Sequence, residues 1–238
     1  MADQSTIGPT LLVLCPLLVG VISIVTRSHR VTDFLAQAVG LVSLLLLIPL
    51  SGVVLAEGPV TLNLGGHRAP VAIPLYVDGL SLLALWLTTW IAVAVHAYAA
   101  EWLRVTAHPA SMEYRMLWPL LWSGLNGLFL SADLFNVYVM LEVTTLGAVS
   151  LVIMGREGEA AEAATRYLHF GLIGSVLYLL GVALVYMHVG SLYMPLLPGK
   201  VSLTPAMAVA LFCMTAGLAM KAALFPVHAW LPLAHASA

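Results

Sequence analysis

Charge is scarce in this sequence. Asp, Glu, Lys and Arg make up 8% of its 238 residues, while hydrophobic residues make up 61%, more apolar content than a soluble core requires. Cysteine is nearly absent: Cys15 and Cys213 stand singly inside apolar runs, with no CxxC and no metal-ligand spacing. Neither a disulfide nor an iron–sulfur cluster is indicated, so no cofactor, metal or redox centre is expected. The nine Lys and Arg residues form no basic patch, which leaves nucleic-acid binding without support. The net charge of −2 points to no partner of either sign.

Long apolar runs fill the chain instead. A bilayer core about 30 Å thick takes about 20 apolar residues per helix. Seven runs meet or approach that length, at about 8–25, 33–55, 78–99, 116–132, 134–154, 164–188 and 203–224. They are continuously apolar rather than alternating every second residue, which excludes membrane-spanning strands. The expected fold class is all-α membrane, with about seven transmembrane helices.

The basic residues orient them. Arg27, Arg30, Arg104, Arg115, Arg156 and Arg166 fall in the loops after the first, third and fifth runs, while Arg68 and Lys200 fall in the opposite loops. Positive charge accumulates in cytosolic loops, so the N-terminus is expected outside. No basic residue precedes the first run, and Asp3 stands where a signal peptide would carry Lys or Arg. That run reads as a retained helix of a multi-pass cell (inner) membrane protein.

Residues 1–55 therefore read as two N-terminal transmembrane helices. Residues 56–77 alternate in VTLNL and VAIPL around GGHRAP, the pattern of a short hairpin, here on the outer surface. The cytosolic loop GREGEAAEAATR reads as a solvated helix start; Gly155 and Gly158 are too few for a phosphate cradle. Asp33, Asp78 and Asp133 each open a run, where a carboxylate can accept from unpaired N–H groups and meet the positive end of the helix dipole. Gly171 and Ser175, four apart, allow close helix packing.

Two charges remain inside runs. Lys221 lies in the apolar stretch from Leu203 to Leu233, and of eleven acidic residues only Glu142 lies well inside a run. A Lys at a bilayer centre costs roughly 2.5–3.5 kcal/mol, so such residues face a bundle interior or a water-filled path. Glu142 is the natural partner. A merely structural pair is the alternative, although a pair taken out of water gains little over apolar packing. Pro226 cannot donate to the carbonyl of Ala222 and crowds it, so the seventh helix is expected to break at Pro226. Non-helical backbone at membrane depth is tolerated where it is buried in protein or lines a hydrated cavity.

His228 and His235 follow Lys221 at intervals of seven, and His169 sits on the sixth run. Each can carry protons near neutral pH, or be an ordinary hydrogen-bonded histidine. Asn126, Tyr138, Thr144, Thr145 and Thr215 could bind water or bond between helices. Burial disfavours the charged forms of Lys221 and Glu142 while their proximity favours them. Separating the two, or protonating Glu142, would therefore loosen the proton on Lys221, as a pump or an antiporter requires.

From Val77 onward the chain resembles the antiporter-like proton channel subunits shared by respiratory complex I, membrane-bound hydrogenases and Mrp-type cation/proton antiporters. The matching motifs are VDGLSLL, HAYAAEW, DLFNVYVMLEV, AATRYL and MKAALFPVHAWLPLAHASA, and DLFNVYVMLEV and KAALFPVHAWLP are most similar to the D-type member of Mrp antiporters or to the hydrogenase relatives. The resemblance implies that Glu142 is the fifth-span glutamate and Lys221 the broken-helix lysine of a proton half-channel, with His228 in the PxHxWLP segment. Relatives carry a further lysine on span six; here HFGLIGS has none, and His169 is the conjectured substitute. Residues 78–238 would then form the antiporter-like region of an inverted-repeat bundle, reaching only into its first repeat.

The resemblance further implies a membrane subunit of a multisubunit cation/proton antiporter, with protons and Na+ or another cation as its ions and with no catalytic chemistry of its own. Its partners would be other membrane subunits, including one that supplies the second half if residue 238 is a natural terminus. On that view the isolated chain forms no complete pathway. The alternative is a proton-translocating subunit of a redox complex, either a complex I-like NADH-quinone oxidoreductase or a membrane-bound hydrogenase. A third reading, an inert remnant whose pair persists as packing, also stays open.

Overall fold

The computed structural model describes residues 2–64, 73–154, 158–202 and 204–237. The GGHRAP turn with Arg68, together with Gly155, Arg156 and Leu203, lies outside the described residues. Eight helices, two strands and one 3-10 turn are described: α1 (Ala2–Thr26), α2 (His29–Glu57), β1 (Val60–Leu64), β2 (Ile73–Val77), α3 (Gly79–Val105), α4 (Ser111–Leu130), α5 (Leu134–Val152), α6 (Glu159–Val189), the 3-10 turn Met194–Leu196, α7 (Pro205–Lys221) and α8 (Leu231–Ser237). β1 and β2 pair in a two-stranded sheet.

The chain is an all-helical membrane protein. Among the described residues five helices, α1, α2, α3, α5 and α6, are long and apolar enough to cross a bilayer. Two of the seven expected spans depart from that standard. α4 has the length, 20 residues, but interrupts its apolar character with Glu113, Arg115, Ser123 and Asn126; α7 is apolar but has only 17 residues. The outward surface is rich in large apolar side chains such as Phe34, Leu55, Leu80 and Phe212, as contact with lipid tails requires. Buried positions on the long helices are often small or weakly polar, among them Ser23, Thr32, Ser43, Thr89 and Ser175, because helices in lipid gain from close packing and shared hydrogen bonds.

Two compact units are present, Met1–Leu62 with Leu75–Leu130, and Asn63–Pro74 with Ser131–Ala238. In the first, α1 packs on α2 and α4, and α3 on α2 and α4. Pro16 within α1 has no N–H for the carbonyl of Leu12. Asn126 of α4 supplies the missing donor, its Nδ2 lying 2.7 Å from Leu12 O, while Ser123 Oγ donates to Val13 O at 2.8 Å. Asn126, fully buried, thus repairs a proline defect in a neighbouring helix.

In the second unit α6 packs against α5, α7 and α8. α5 and α7 begin at capped ends: Asp133 accepts from the N–H groups of Phe135 and Asn136, and Thr204 Oγ1 from that of Met207. α7 ends at Lys221, Ala223 follows with φ 50°, and the Phe225–Pro226 peptide is cis. Trp230 then ties the next segment back. Its Nε1 donates to the Met220 carbonyl at 3.0 Å, one of the groups a helix end leaves unpaired, and its ring stacks on Tyr167 of α6 at 4.2 Å.

Two expectations need correction in the first unit. Asp33 caps nothing: α2 begins earlier, at His29 with Ser28 in the cap position, which leaves Asp33 inside the helix. Arg115 is no loop residue. It lies on α4 with 1% of its side chain exposed, and its Nε and Nη2 bond Asp33 Oδ1 and Oδ2 at 2.6 and 2.8 Å. Asp78, by contrast, accepts from the Ser81 N–H at the start of α3.

Candidate functional site

Three helices of the second unit build the site. Glu142 lies at mid-length on α5, Ser175 near the middle of α6, and Lys221 at the last residue of α7, where the helix dipole favours a cation. Lys221 Nζ donates to Glu142 Oε1 at 3.1 Å and to Thr145 Oγ1 at 2.8 Å. The two charged side chains are 9% and 19% exposed. Ser175 Oγ also donates to Glu142 Oε1, so one carboxylate oxygen receives both an ammonium and a hydroxyl.

Glycine makes the approach possible. A Cβ at Gly174 would stand 2.9 Å from the Gly217 carbonyl oxygen, 3.2 Å from Met220 Cβ and 3.5 Å from Lys221 Cγ. α6 and α7 therefore meet backbone to backbone one turn before the lysine. Thr145 keeps its hydroxyl free to accept because its own proton is donated to Leu141 O at 2.7 Å.

Residues 131–238 match the family described as NADH:quinone oxidoreductase/Mrp antiporter, TM. A probable K(+)/H(+) antiporter protein of Rhizobium meliloti (strain 1021), the D component of its complex, is 35% identical over 182 residues, 74% of this chain and 33% of that protein. The N component of NADH-quinone oxidoreductase from Desulforudis audaxviator (strain MP104C) is 36% identical over 174 residues, 71% of this chain and 34% of that protein. A chain in the structure of the Mrp complex from Dietzia sp. DQ12-45-1b aligns with a TM-score of 0.86 at 32% identity, over 99% of this chain and 44% of that one.

This chain belongs to the antiporter-like membrane subunit family. Its matched segments span 33% and 34% of the two curated relatives. The family match at 131–238 contains Glu142, Ser175 and Lys221 together.

The histidines are placed differently from the pair. His228 is partly buried, its ring 5.7 Å from that of Phe225 and its Nδ1 enclosed with no hydrogen-bond partner among the described residues. His169 and His235 are exposed; among the described residues no hydrogen bond or ion pair joins them to Glu142 or Lys221. Of the polar residues noted in the sequence, Thr144 and Thr215 donate to carbonyls of their own helices, and Tyr138 packs against the apolar cluster around Tyr178 and Val182. The sequence marks Ser175 only as a packing residue. A signal for more is its place on the same helix face as Gly171, where a Cβ would come within 2.8 Å of Thr145, so both residues of that face look toward α5.

Proposed function

We propose that this chain is a membrane subunit of a multisubunit cation/proton antiporter, exchanging protons for Na+ or another monovalent cation across the cell (inner) membrane alongside other membrane subunits. One observation carries the reading: Lys221 and Glu142, both largely buried and 3.1 Å apart, meet where α7 stops being a helix. Each charge stabilises the other in an interior that disfavours both. A proton arriving on Glu142 removes the partner of Lys221, and the ammonium then yields its proton more readily. Two states of different proton affinity follow from one protonation. His228, whose Nδ1 has no partner among the described residues, is the next group we place on the path; His169 and His235 stay outside it.

The seven-span topology belongs to the same proposal. α4 and the α7–α8 segment cross with the five long helices, the seventh crossing being interrupted at Pro226, and the loops after α1, α3 and α5 face the cytosol.

The test is cation/proton exchange by the whole complex in inverted vesicles. Glu142→Gln and Lys221→Ala are each expected to abolish exchange while the complex still assembles; wild-type exchange in either variant would overturn the proposal. The 36% identity to a component of an NADH-quinone oxidoreductase favours a second reading, a proton-translocating arm of a redox complex. Acidification that requires an electron donor would support it, and exchange driven by a cation gradient alone would exclude it.

A further inference from the structure

Lys221 is the last residue of α7, so its backbone is only as fixed as the helix end that carries it. The chain closes that end with the paired bonds of a Schellman turn. The Leu224 N–H bonds the Ala219 carbonyl at 2.9 Å, and the Ala223 N–H bonds the Met220 carbonyl at 3.3 Å. The second bond is long. The residue that turns the chain is Ala223, at φ 50°, a left-handed conformation that this motif usually gives to glycine. An alanine keeps such a backbone where its surroundings hold it there. Ala223 packs against the cluster of Val152, Ala163, Ala164, Trp230 and Ala234.

Trp230 is the member of that cluster that reaches the helix end. It is 6% exposed, and its Nε1 donates to the Met220 carbonyl at 3.0 Å, closer than the Ala223 N–H. Its ring lies flat on that of Tyr167, with centroids 4.2 Å and planes 5° apart. Tyr167 belongs to α6, the helix whose Ser175 donates to Glu142, so Trp230 fastens the end of α7 to a wall of the site. The carbonyl it holds is one half of the Met220–Lys221 peptide; the other half is the amide nitrogen of Lys221. A peptide group is planar, so holding the carbonyl also holds the plane from which the Lys221 side chain departs. That side chain is a long flexible stem, and a small tilt at its base becomes a large displacement at Nζ. Nζ has to meet Glu142 Oε1 at 3.1 Å and Thr145 Oγ1 at 2.8 Å together.

We propose that Trp230 is a positioning residue for Lys221, acting through the Met220–Lys221 peptide to hold the ammonium between Glu142 and Thr145. The inference rests on the reading of Glu142 and Lys221 as the proton-transferring pair. An indole has one N–H and no acceptor, and here the N–H is spent on the carbonyl, so Trp230 acts by geometry alone. The stack on Tyr167 supplies rigidity, and the hydrogen bond supplies direction.

Isotope labels carried by this chain alone, in the whole complex in lipid nanodiscs, test the assignment: carbonyl-¹³C methionine, ¹⁵N-lysine, carboxyl-¹³C glutamate and indole-¹⁵N tryptophan. Met220–Lys221 is the one Met–Lys sequence in the chain, and Lys200 is the only other lysine, so this peptide and the Lys221 ammonium are both identifiable. In the wild type the Met220 carbonyl is expected to couple to an indole nitrogen; the lack of such a coupling would overturn the proposal before any variant is made. Trp230→Phe keeps an aromatic ring against Tyr167 and removes the N–H. It is expected to weaken the coupling between Lys221 Nζ and the Glu142 carboxyl carbon. The maximal exchange rate per assembled complex should fall about 2- to 10-fold at an unchanged half-saturating cation concentration. An unchanged ammonium–carboxyl coupling in Trp230→Phe would also overturn the proposal, since a residue that only supports the fold alters the amount of complex and not the pairing. Exchange that survives Lys221→Ala would overturn the reading of the pair instead, and the two couplings, which require no transport, would still decide whether Trp230 places Lys221.

Discussion

Lys221 Nζ has two acceptors of different kinds, Glu142 at 3.1 Å and Thr145 at 2.8 Å. The carboxylate can be neutralised by a proton; the threonine hydroxyl cannot, and it holds the ammonium in place when Glu142 is neutral. Thr145→Val keeps the side-chain shape and removes a hydrogen bond to a charged group, worth about 1.5–3 kcal/mol. Exchange by the complex is expected to fall about 10- to 100-fold, yet to stay above that of Glu142→Gln, with the complex still assembled. A wild-type rate in a vesicle assay would show that the hydroxyl has no part in holding the lysine. Glu142 and Lys221 are legible in the sequence because a charge inside an apolar run has few explanations. Thr145 is marked there only beside four other polar residues, and Ser175 only for packing, because hydroxyls in membrane helices often bond their own backbone, as Thr144 and Thr215 do, and nothing local marks those that also reach a neighbour. The Asp33–Arg115 pair, 82 residues apart in sequence, is hidden because charges near span ends read as caps and loops.

At the scale of elements, the site depends on how closely α6 and α7 approach. A Cβ at Gly217 would fall 2.8 Å from the backbone N of Tyr178 and 3.0 Å from its Cβ, and would collide with the Gly174 carbonyl oxygen. Backbone atoms cannot swing away as a side-chain tip can, so Gly217→Ala must push the helices apart. Overpacking of this kind costs roughly 1–3 kcal/mol, and Lys221, one turn further along α7, moves away from Glu142 with it. Gly52 on α2 has open space around it, and alanine there is expected to stabilise the helix by about 0.5–1 kcal/mol. In thermal unfolding of the purified complex Gly217→Ala should lower Tm and Gly52→Ala should not, and only the first should lose exchange. Equal Tm and equal exchange in the two variants would detach the glycine contact from the site. Helix existence is readable from apolar length. Helix ends are less so: α3 runs to Val105 and α2 starts at His29, since polar residues at a membrane surface continue a helix as readily as they end one.

At the scale of the whole molecule, charge is the sole sequence signal for sidedness. Arg104 and Arg166 each form an exposed ion pair within their own helix, with Glu101 and Glu162. Such pairs contribute little stability, so their presence is not explained by packing and fits the bias that keeps Lys and Arg on the cytosolic side. Arg115 weakens that count. With 1% of its side chain exposed and a carboxylate on its guanidinium, it is held by Asp33 and is no free loop charge, which leaves Arg27, Arg30, Arg104, Arg156 and Arg166 against Arg68 and Lys200. The majority still points one way. Single reporter cysteines, with Cys15 and Cys213 replaced by serine, check it: Arg104→Cys should react with a membrane-impermeant maleimide only in inverted vesicles, and Lys200→Cys, exposed in the turn before α7, only in right-side-out ones. Labelling of both from the same side would mean that an even number of crossings separates residues 104 and 200. The three crossings assigned to α4, α5 and α6 would then be wrong by one, and α4, the least apolar of them, is where the count would change.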